Sequence, residues 1–72
     1  MNIATTYTQT FSERLKDLRK EKNLSQKQLA EKLGIAVSTY ANWEQGRRSP
    51  CIEDIYHLLK VLEIDANELF YI

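Results

Sequence analysis

A chain of 72 residues with 43% hydrophobic and 28% charged residues excludes a disordered protein and favours one small globular domain. No apolar run reaches membrane-spanning length, and the first ten residues lack the basic and apolar segments of a signal peptide, which predicts a cytoplasmic protein without membrane contact. The formal net charge of zero lacks the basic surplus that most nucleic-acid-binding proteins carry.

The first helix is predicted from a capping signal. Thr10 followed by Glu13 matches a capping box, and apolar residues then recur at helical spacing up to about Lys22. Residues 1–9 are predicted to be an N-terminal arm, flexible or forming a short strand. Residues 10–72 are predicted to be the folded domain, and the near absence of Gly and Pro favours helices throughout it.

Two short helices follow, joined by a tight turn. Ser25 and Gln28 form a second capping box that opens helix two, and Gly34 ends it. Helix three is predicted over residues 37–45, with Gly46 after it. The turn between them leaves only three or four residues, which is typical of a helix-turn-helix unit.

The last two helices have their own start signals. Ser49 and Pro50 are predicted to start helix four, because proline suits the first helical position. Asp65 and Glu68 form a third capping box, which opens helix five. The buried stripe of helix four is predicted to be Ile52, Ile55, Leu58, Leu59 and Leu62.

Charge is distributed unevenly along the chain. Residues 1–50 carry nine Lys and Arg against five Asp and Glu, a balance of +4, whereas residues 51–72 carry one against five, a balance of −4. Such a chain can present a cationic side to a polyanion. A chance scatter of charges gives the same balance, so charge alone leaves the partner open.

One side of helix three has small, uncharged side chains, whereas Tyr40 and Trp43 lie on its other side. In DNA-binding helix-turn-helix units the second helix lies in the major groove, which is about 12 Å wide and admits only a thinly coated helix. A small-residue face is equally suited to packing against another helix. Residue physics alone leaves both interpretations open.

The segment "LKDLRKEKNLSQKQLAEKLGIAVSTYANWEQGRRSP" resembles the phage repressor/Cro (Xre-type) helix-turn-helix family. The ordered motifs are Leu-x-x-Leu-Arg, Leu-Ser-Gln, Leu-Ala-x-x-Leu-Gly, Trp-Glu-x-Gly, a proline four residues later and a final Leu-Phe, so that the likeness covers about Phe11 to Phe70. It implies an all-α, compact five-helix, lambda-repressor-like domain with the helix-turn-helix at helices two and three. The implied function is a sequence-specific transcriptional regulator, a repressor, that binds double-stranded DNA as a homodimer on a palindromic operator.

The resemblance also implies which residues contact DNA. Helix three would face the bases with Val37, Ser38, Ala41 and Asn42. The residues expected to contact phosphates are Gln26, Trp43, Gln45, Arg47 and Arg48. An asparagine can bond bidentately to adenine, and arginines attract phosphates whatever the sequence.

Four further positions can be compared with the family pattern: two match it and two depart from it. Arg19 and Glu44 match its arginine–glutamate pair, which implies a structural ion pair between helix one and the end of helix three. Ala36 stands where the family caps helix three with Ser or Thr, so a cap worth about 1 kcal/mol is expected to be missing. With Val37 replacing a polar base reader, part of the operator is expected to be read through its shape and thymine methyls.

Apolar residues near the C-terminus are predicted to form a dimer interface: Val61, Phe70, Tyr71 and Ile72. The alternative is that the C-terminal residues complete the core of their own chain. With one His, one Cys and no glycine-rich phosphate loop, we expect no enzymatic activity, no metal, no cofactor and no small-molecule ligand. The alternative function is a protein-interaction module, antitoxin-like or an adaptor, on the same scaffold.

Overall fold

The computed structural model describes the backbone of residues 3–70 and the side chains of residues 10–70. Within that range the chain forms five helices and no strand. The helices are α1 (Ile3–Glu21), α2 (Gln26–Leu33), α3 (Val37–Glu44), α4 (Ile52–Leu62) and α5 (Ala66–Phe70). The predicted all-α, five-helix class is confirmed.

Helix α1 begins earlier than the sequence predicted, at Ile3 and not at Thr10. The capping signal of Thr10 and Glu13 is therefore not used as a helix start. Residues 3–9 contain no Gly or Pro, and extending an existing helix costs far less than nucleating one, so the helix continues upstream of Thr10. The prediction of a short strand is wrong for residues 3–9, while the placing of the domain boundary at residue 10 stays a prediction.

Local capping chemistry sets the start and the end of α2, and it leaves the start of α3 uncapped. The Ser25 hydroxyl accepts a hydrogen bond from the Gln28 N–H at 3.0 Å, and the Gln28 side-chain oxygen accepts one from the Ser25 N–H at 2.8 Å. Gly34 ends α2 in the left-handed region, with φ of 72°. Ala36 precedes α3 without any side-chain cap, which confirms the predicted missing cap.

Helix α4 begins later than predicted, at Ile52 with Cys51 as its N-cap. The carboxylate of Asp54 accepts a hydrogen bond from the Cys51 N–H at 3.2 Å, and this acceptor at the third helical position sets the start. Pro50 therefore lies outside the helix. Ile52 is 71% exposed, so its assignment to the buried stripe is wrong: as the first residue of α4 it lies beyond the edge of the core.

The core is built from all five helices. Helix α1 packs against α3 and α5, and α2 packs against α3 and α4. Its buried hydrophobic residues are Leu15, Leu18, Leu29, Ala30, Tyr40, Trp43, Leu58, Leu62 and Leu69. Val61, predicted to form part of a dimer interface, is half-buried and packs against this core. Helix α3 is thus held by one side while its other side lies at the surface.

Candidate nucleic-acid interface

Helix α3 has an outer face that the rest of the described chain leaves at least partly exposed. Val37 is 46% exposed, Ser38 is exposed, and Ala41 and Asn42 are half-buried. Within residues 10–70, no hydrogen bond occupies the side chain of Ser38 or Asn42. These four residues, which we call the outer face, are thus available to an external partner.

The turn after α3 brings two arginines next to this face. Gly46 adopts a φ of 74°, in the left-handed region that glycine tolerates without strain. The chain then turns so that the N–H groups of Arg47 and Arg48 donate to the Asn42 carbonyl at 3.0 and 3.3 Å. Both arginines are exposed, as is Gln45, so the structure places these phosphate candidates beside the base-facing ones.

The inner face of α3 consists of Tyr40, Trp43 and Glu44. Tyr40 is fully buried, and its ring meets that of Trp43 edge to face, with centroids 5.8 Å apart. Trp43 is only 3% exposed, and its carbonyl accepts a hydrogen bond from the Ser12 hydroxyl at 2.9 Å. The Trp43 ring thus belongs to the core, and the phosphate contact predicted for its indole N–H stays a prediction.

Glu44 forms a two-pronged ion pair with Arg19 of α1. The Arg19 Nε lies 2.7 Å from Glu44 Oε2, and the Arg19 Nη2 lies 3.2 Å from Oε1. The two side chains are 9% and 3% exposed. Arg19 also donates through Nη1 to the Leu24 carbonyl at 2.7 Å, which ties the α1–α2 connection to the same pair. The structure therefore places the predicted structural pair in contact.

Two more residues, Gln26 and Tyr40, donate hydrogen bonds to Glu44. We call Arg19, Gln26, Tyr40 and Glu44 together the Glu44 cluster. The Tyr40 hydroxyl donates to Glu44 Oε2, and the Gln26 Nε2 donates to Oε1 at 3.0 Å. Burial pushes the pKa of Glu44 upward, but the hydrogen bonds from Arg19, Tyr40 and Gln26 outweigh it and hold the pKa below its usual value. Burial, reinforced by the bond to Glu44, raises the pKa of Tyr40. At neutral pH the cluster holds an ionised carboxylate and a neutral phenol.

Two of the four members of this cluster were not predicted from the sequence. Tyr40 was expected only on the side of helix three opposite the small residues, and Gln26 only at a phosphate. Tyr40 and Glu44 are four residues apart on one helix, a spacing that could have indicated their contact. Gln26 and Glu44 are 18 residues apart on different helices, and no local pattern signals that pair.

Three large apolar side chains in the C-terminal part of the described chain are exposed, and Phe70 is the one among them that was predicted as an interface residue. Phe70 is 40% exposed and stacks on Phe11, with ring centroids 5.6 Å apart. Ile52 and Tyr56 of α4 are 71% and 63% exposed, and neither was predicted to lie at the surface. Ile52 and Phe70 also line a groove of about 380 Å³. Two predicted interface residues, Tyr71 and Ile72, lie outside the described residues.

None of the helices within residues 3–70 is long and apolar enough to cross a lipid bilayer. In that same range no three His, Cys, Asp or Glu side chains come together as metal ligands would.

The chain is similar to several known regulators. A family model described as helix-turn-helix matches residues 15–69. The HTH-type transcriptional regulator AnsR of Bacillus subtilis is 44% identical over 57 residues, which are 79% of this chain and 49% of AnsR. The cryptic phage CTXphi transcriptional repressor RstR of Vibrio cholerae is 36% identical over 59 residues, 82% of this chain and 53% of RstR. The chain thus spans about half the length of these curated relatives.

A solved structure shares the fold over nearly its whole length. It is the high-resolution crystal structure of the restriction-modification controller protein C.AhdI from Aeromonas hydrophila. The match has a TM-score of 0.82 and 36% sequence identity, and it covers 88% of this chain and 96% of C.AhdI.

Proposed function

The chain belongs to the Xre-type helix-turn-helix family, and we propose that it binds double-stranded DNA sequence-specifically and represses transcription by occupying an operator. The observation that carries this proposal is the partly exposed, uncharged outer face of α3 beside two exposed arginines. The family is one of DNA-binding regulators, not of enzymes, which favours binding without chemistry.

The outer face of α3 suits the edges of base pairs in the major groove. Asn42 can hydrogen-bond bidentately to adenine, and Ser38 can donate or accept. Val37 offers methyl groups to a thymine methyl, and Ala41 is small enough for close approach. Each good base contact is worth about 1–3 kcal/mol of discrimination.

Phosphate contacts on either side of α3 would set its register on the duplex. Arg47, Arg48 and Gln45 lie at the end of α3, and Gln26 lies at the start of α2. Such contacts supply affinity and position the recognition helix but carry no sequence information. Because Arg47 and Arg48 are anchored to the Asn42 carbonyl, their position is linked to that of a base reader.

We propose that two copies bind together on a palindromic operator, with their α3 helices about 34 Å apart. Exposed Ile52, Tyr56 and Phe70 support an interface in the C-terminal half, since apolar surface of this kind commonly marks contacts between chains. Of the residues predicted from sequence, Phe70 fits this surface, and Val61 does not because it packs against the core.

Selection from a library of random duplexes tests the proposal. We expect enrichment of a palindrome with half-sites one helical turn apart, and a dissociation constant that rises steeply with salt. The matched control is Asn42→Ala, which should lose the base preference and keep salt-dependent binding. The absence of any salt-dependent binding to duplex DNA would contradict the proposal. The exposed apolar surface would then favour a protein-interaction module.

A further inference from the structure

The carboxylate of Glu44 has no accepting position to spare. An ionised carboxylate offers about four lone-pair sites on its two oxygens. Oε2 accepts from Arg19 Nε and the Tyr40 hydroxyl, and Oε1 accepts from Arg19 Nη2 and Gln26 Nε2. Rotation of the carboxylate would break at least one of these bonds, so its position is set from three helices at once.

This saturated carboxylate dictates which way the Gln26 amide faces. A carboxamide has a donating NH₂ group and an accepting oxygen, whereas an ionised carboxylate only accepts. Gln26 must therefore turn its NH₂ group toward Glu44, and its Nε2 donates to Glu44 Oε1 at 3.0 Å. That group carries two hydrogens, of which Glu44 takes one. Gln26 is half-buried, and no other hydrogen bond of Nε2 exists within residues 10–70.

We infer that Glu44, held by Tyr40 and Arg19, is a positioning residue that keeps the Gln26 amide nitrogen facing the phosphate backbone of bound DNA. This inference rests on the proposed function. The second hydrogen of Nε2 would donate to a phosphate oxygen, so one nitrogen bridges the fold and the ligand. Because the side chain is ordered before DNA arrives, little of its conformational freedom is lost on binding.

Tyr40→Phe isolates the positioning role from packing. The variant retains the buried ring and removes only the hydroxyl that donates to Glu44 Oε2. The carboxylate is then held by Arg19 and Gln26 alone, so it is positioned less tightly and Gln26 samples more rotamers. We expect affinity for every duplex to fall by about two- to tenfold, the cost of ordering one such side chain. Base preference should not change.

The salt dependence separates this effect from the loss of a charged contact. Gln26 is neutral, so its phosphate contact does not release a counterion when DNA binds, and weakening that contact leaves the number of released counterions unchanged. The slope of log affinity against log salt should therefore be the same for Tyr40→Phe and the parent chain. A general loosening of α3 would instead alter the preference among operator variants, since it would displace Ser38 and Asn42.

A double-mutant cycle with Gln26→Met provides the decisive comparison. Met has a similar length and no donor, so this variant should lose the phosphate contact outright. If Tyr40 acts through Gln26, adding Tyr40→Phe to Gln26→Met should cause no further loss of affinity. Additive losses would overturn the inference, because Tyr40 would then act on binding by another route.

NMR of the free chain provides a readout that is independent of DNA. The two side-chain amide protons of Gln26 should give well-dispersed signals in the parent chain and move toward averaged positions in Tyr40→Phe. Unchanged signals would overturn the inference. If the signals change as expected but Gln26→Met binds DNA like the parent chain, the positioning role fails while the proposed function stands. If the parent chain binds no duplex, both fail.

Discussion

The inner face of α3 places two aromatic rings in the core and occupies the carboxylate of Glu44 with three partners, whereas on the outer face the side chains of Ser38 and Asn42 make no hydrogen bond within residues 10–70. Both faces belong to one helix of eight residues. The difference indicates that stability and recognition draw on separate residues. Substitutions on the inner face should change folding, and substitutions on the outer face should change which sequence is bound.

The largest effect is expected from Glu44→Ala on the inner face. It leaves the Arg19 guanidinium buried without its counter-charge, and breaking such a pair from one end costs about 3–5 kcal/mol. That is a large part of the free energy of unfolding of a small domain, about 5–15 kcal/mol. Urea unfolding followed by circular dichroism measures the loss. Exposed Glu31→Ala is the matched control and should change stability by less than about 0.5 kcal/mol. A loss of less than about 0.5 kcal/mol in Glu44→Ala would contradict the proposed role of the inner face in stability.

Acid should weaken the same face to a smaller degree, because protonation removes the charge of Glu44 and leaves its side chain in place. Its pKa is lower in the folded chain than in the unfolded chain, where a glutamate titrates at about 4.3. The contribution of Glu44 to stability is therefore fully present above that pH and is lost as the pH falls through the depressed pKa. The free energy of unfolding measured against pH tests this. In Glu44→Gln the acid-dependent loss should shrink, and an identical pH profile would refute the assignment.

The outer face should respond in binding and not in folding. Asn42→Ala is expected to reduce discrimination at its base pair by about 1–3 kcal/mol while the melting temperature stays the same. Arg47→Ala is the matched comparison: affinity should fall equally for all sequences, and the salt slope should decrease by about 0.9. Titration of operator variants at several salt concentrations measures both. Uniform loss in both variants would show that the outer face does not read bases.

The smallest effect concerns the start of α3. Ala36 already has the extended backbone of an N-cap, with φ of −68° and ψ of 144°, but its side chain accepts no hydrogen bond. Ala36→Ser should therefore raise the free energy of unfolding by about 1 kcal/mol. The converse change at α2, Ser25→Ala, should lower it by a similar amount. Equal melting temperatures for Ala36→Ser and the parent chain would contradict this expectation.

Local chemistry explains which parts of the fold the sequence predicted well. The capping box at Ser25 and the left-handed Gly34 act within a few residues of themselves, so α2 and its turn follow from short patterns. The same kind of pattern failed at Thr10, because helix propagation through residues 3–9 outweighed a local cap. It failed again at Pro50, where the Asp54 carboxylate moved the start of α4 to Ile52.

Contacts between distant residues explain the rest. The family pattern pointed to the pairing of Arg19 with Glu44, but the bond from Gln26 depends on how α2 and α3 pack. Exposure at Ile52 and Tyr56 likewise depends on where α4 enters the core, which helical periodicity alone does not reveal. The outer face of α3 could be identified from the sequence because it lies opposite the two aromatic residues of the helix, and its contact with bases stays a prediction.

The anchoring of α3 to α1 and α2 has a practical consequence for engineering. With Glu44 saturated and both aromatic rings buried, positions 37, 38, 41 and 42 form a cassette whose replacement leaves the scaffold's internal bonds untouched. Libraries varied at those four positions should retain folding while acquiring new operator preferences. The positions proposed to determine sequence preference are thus separate from the residues that hold the fold together.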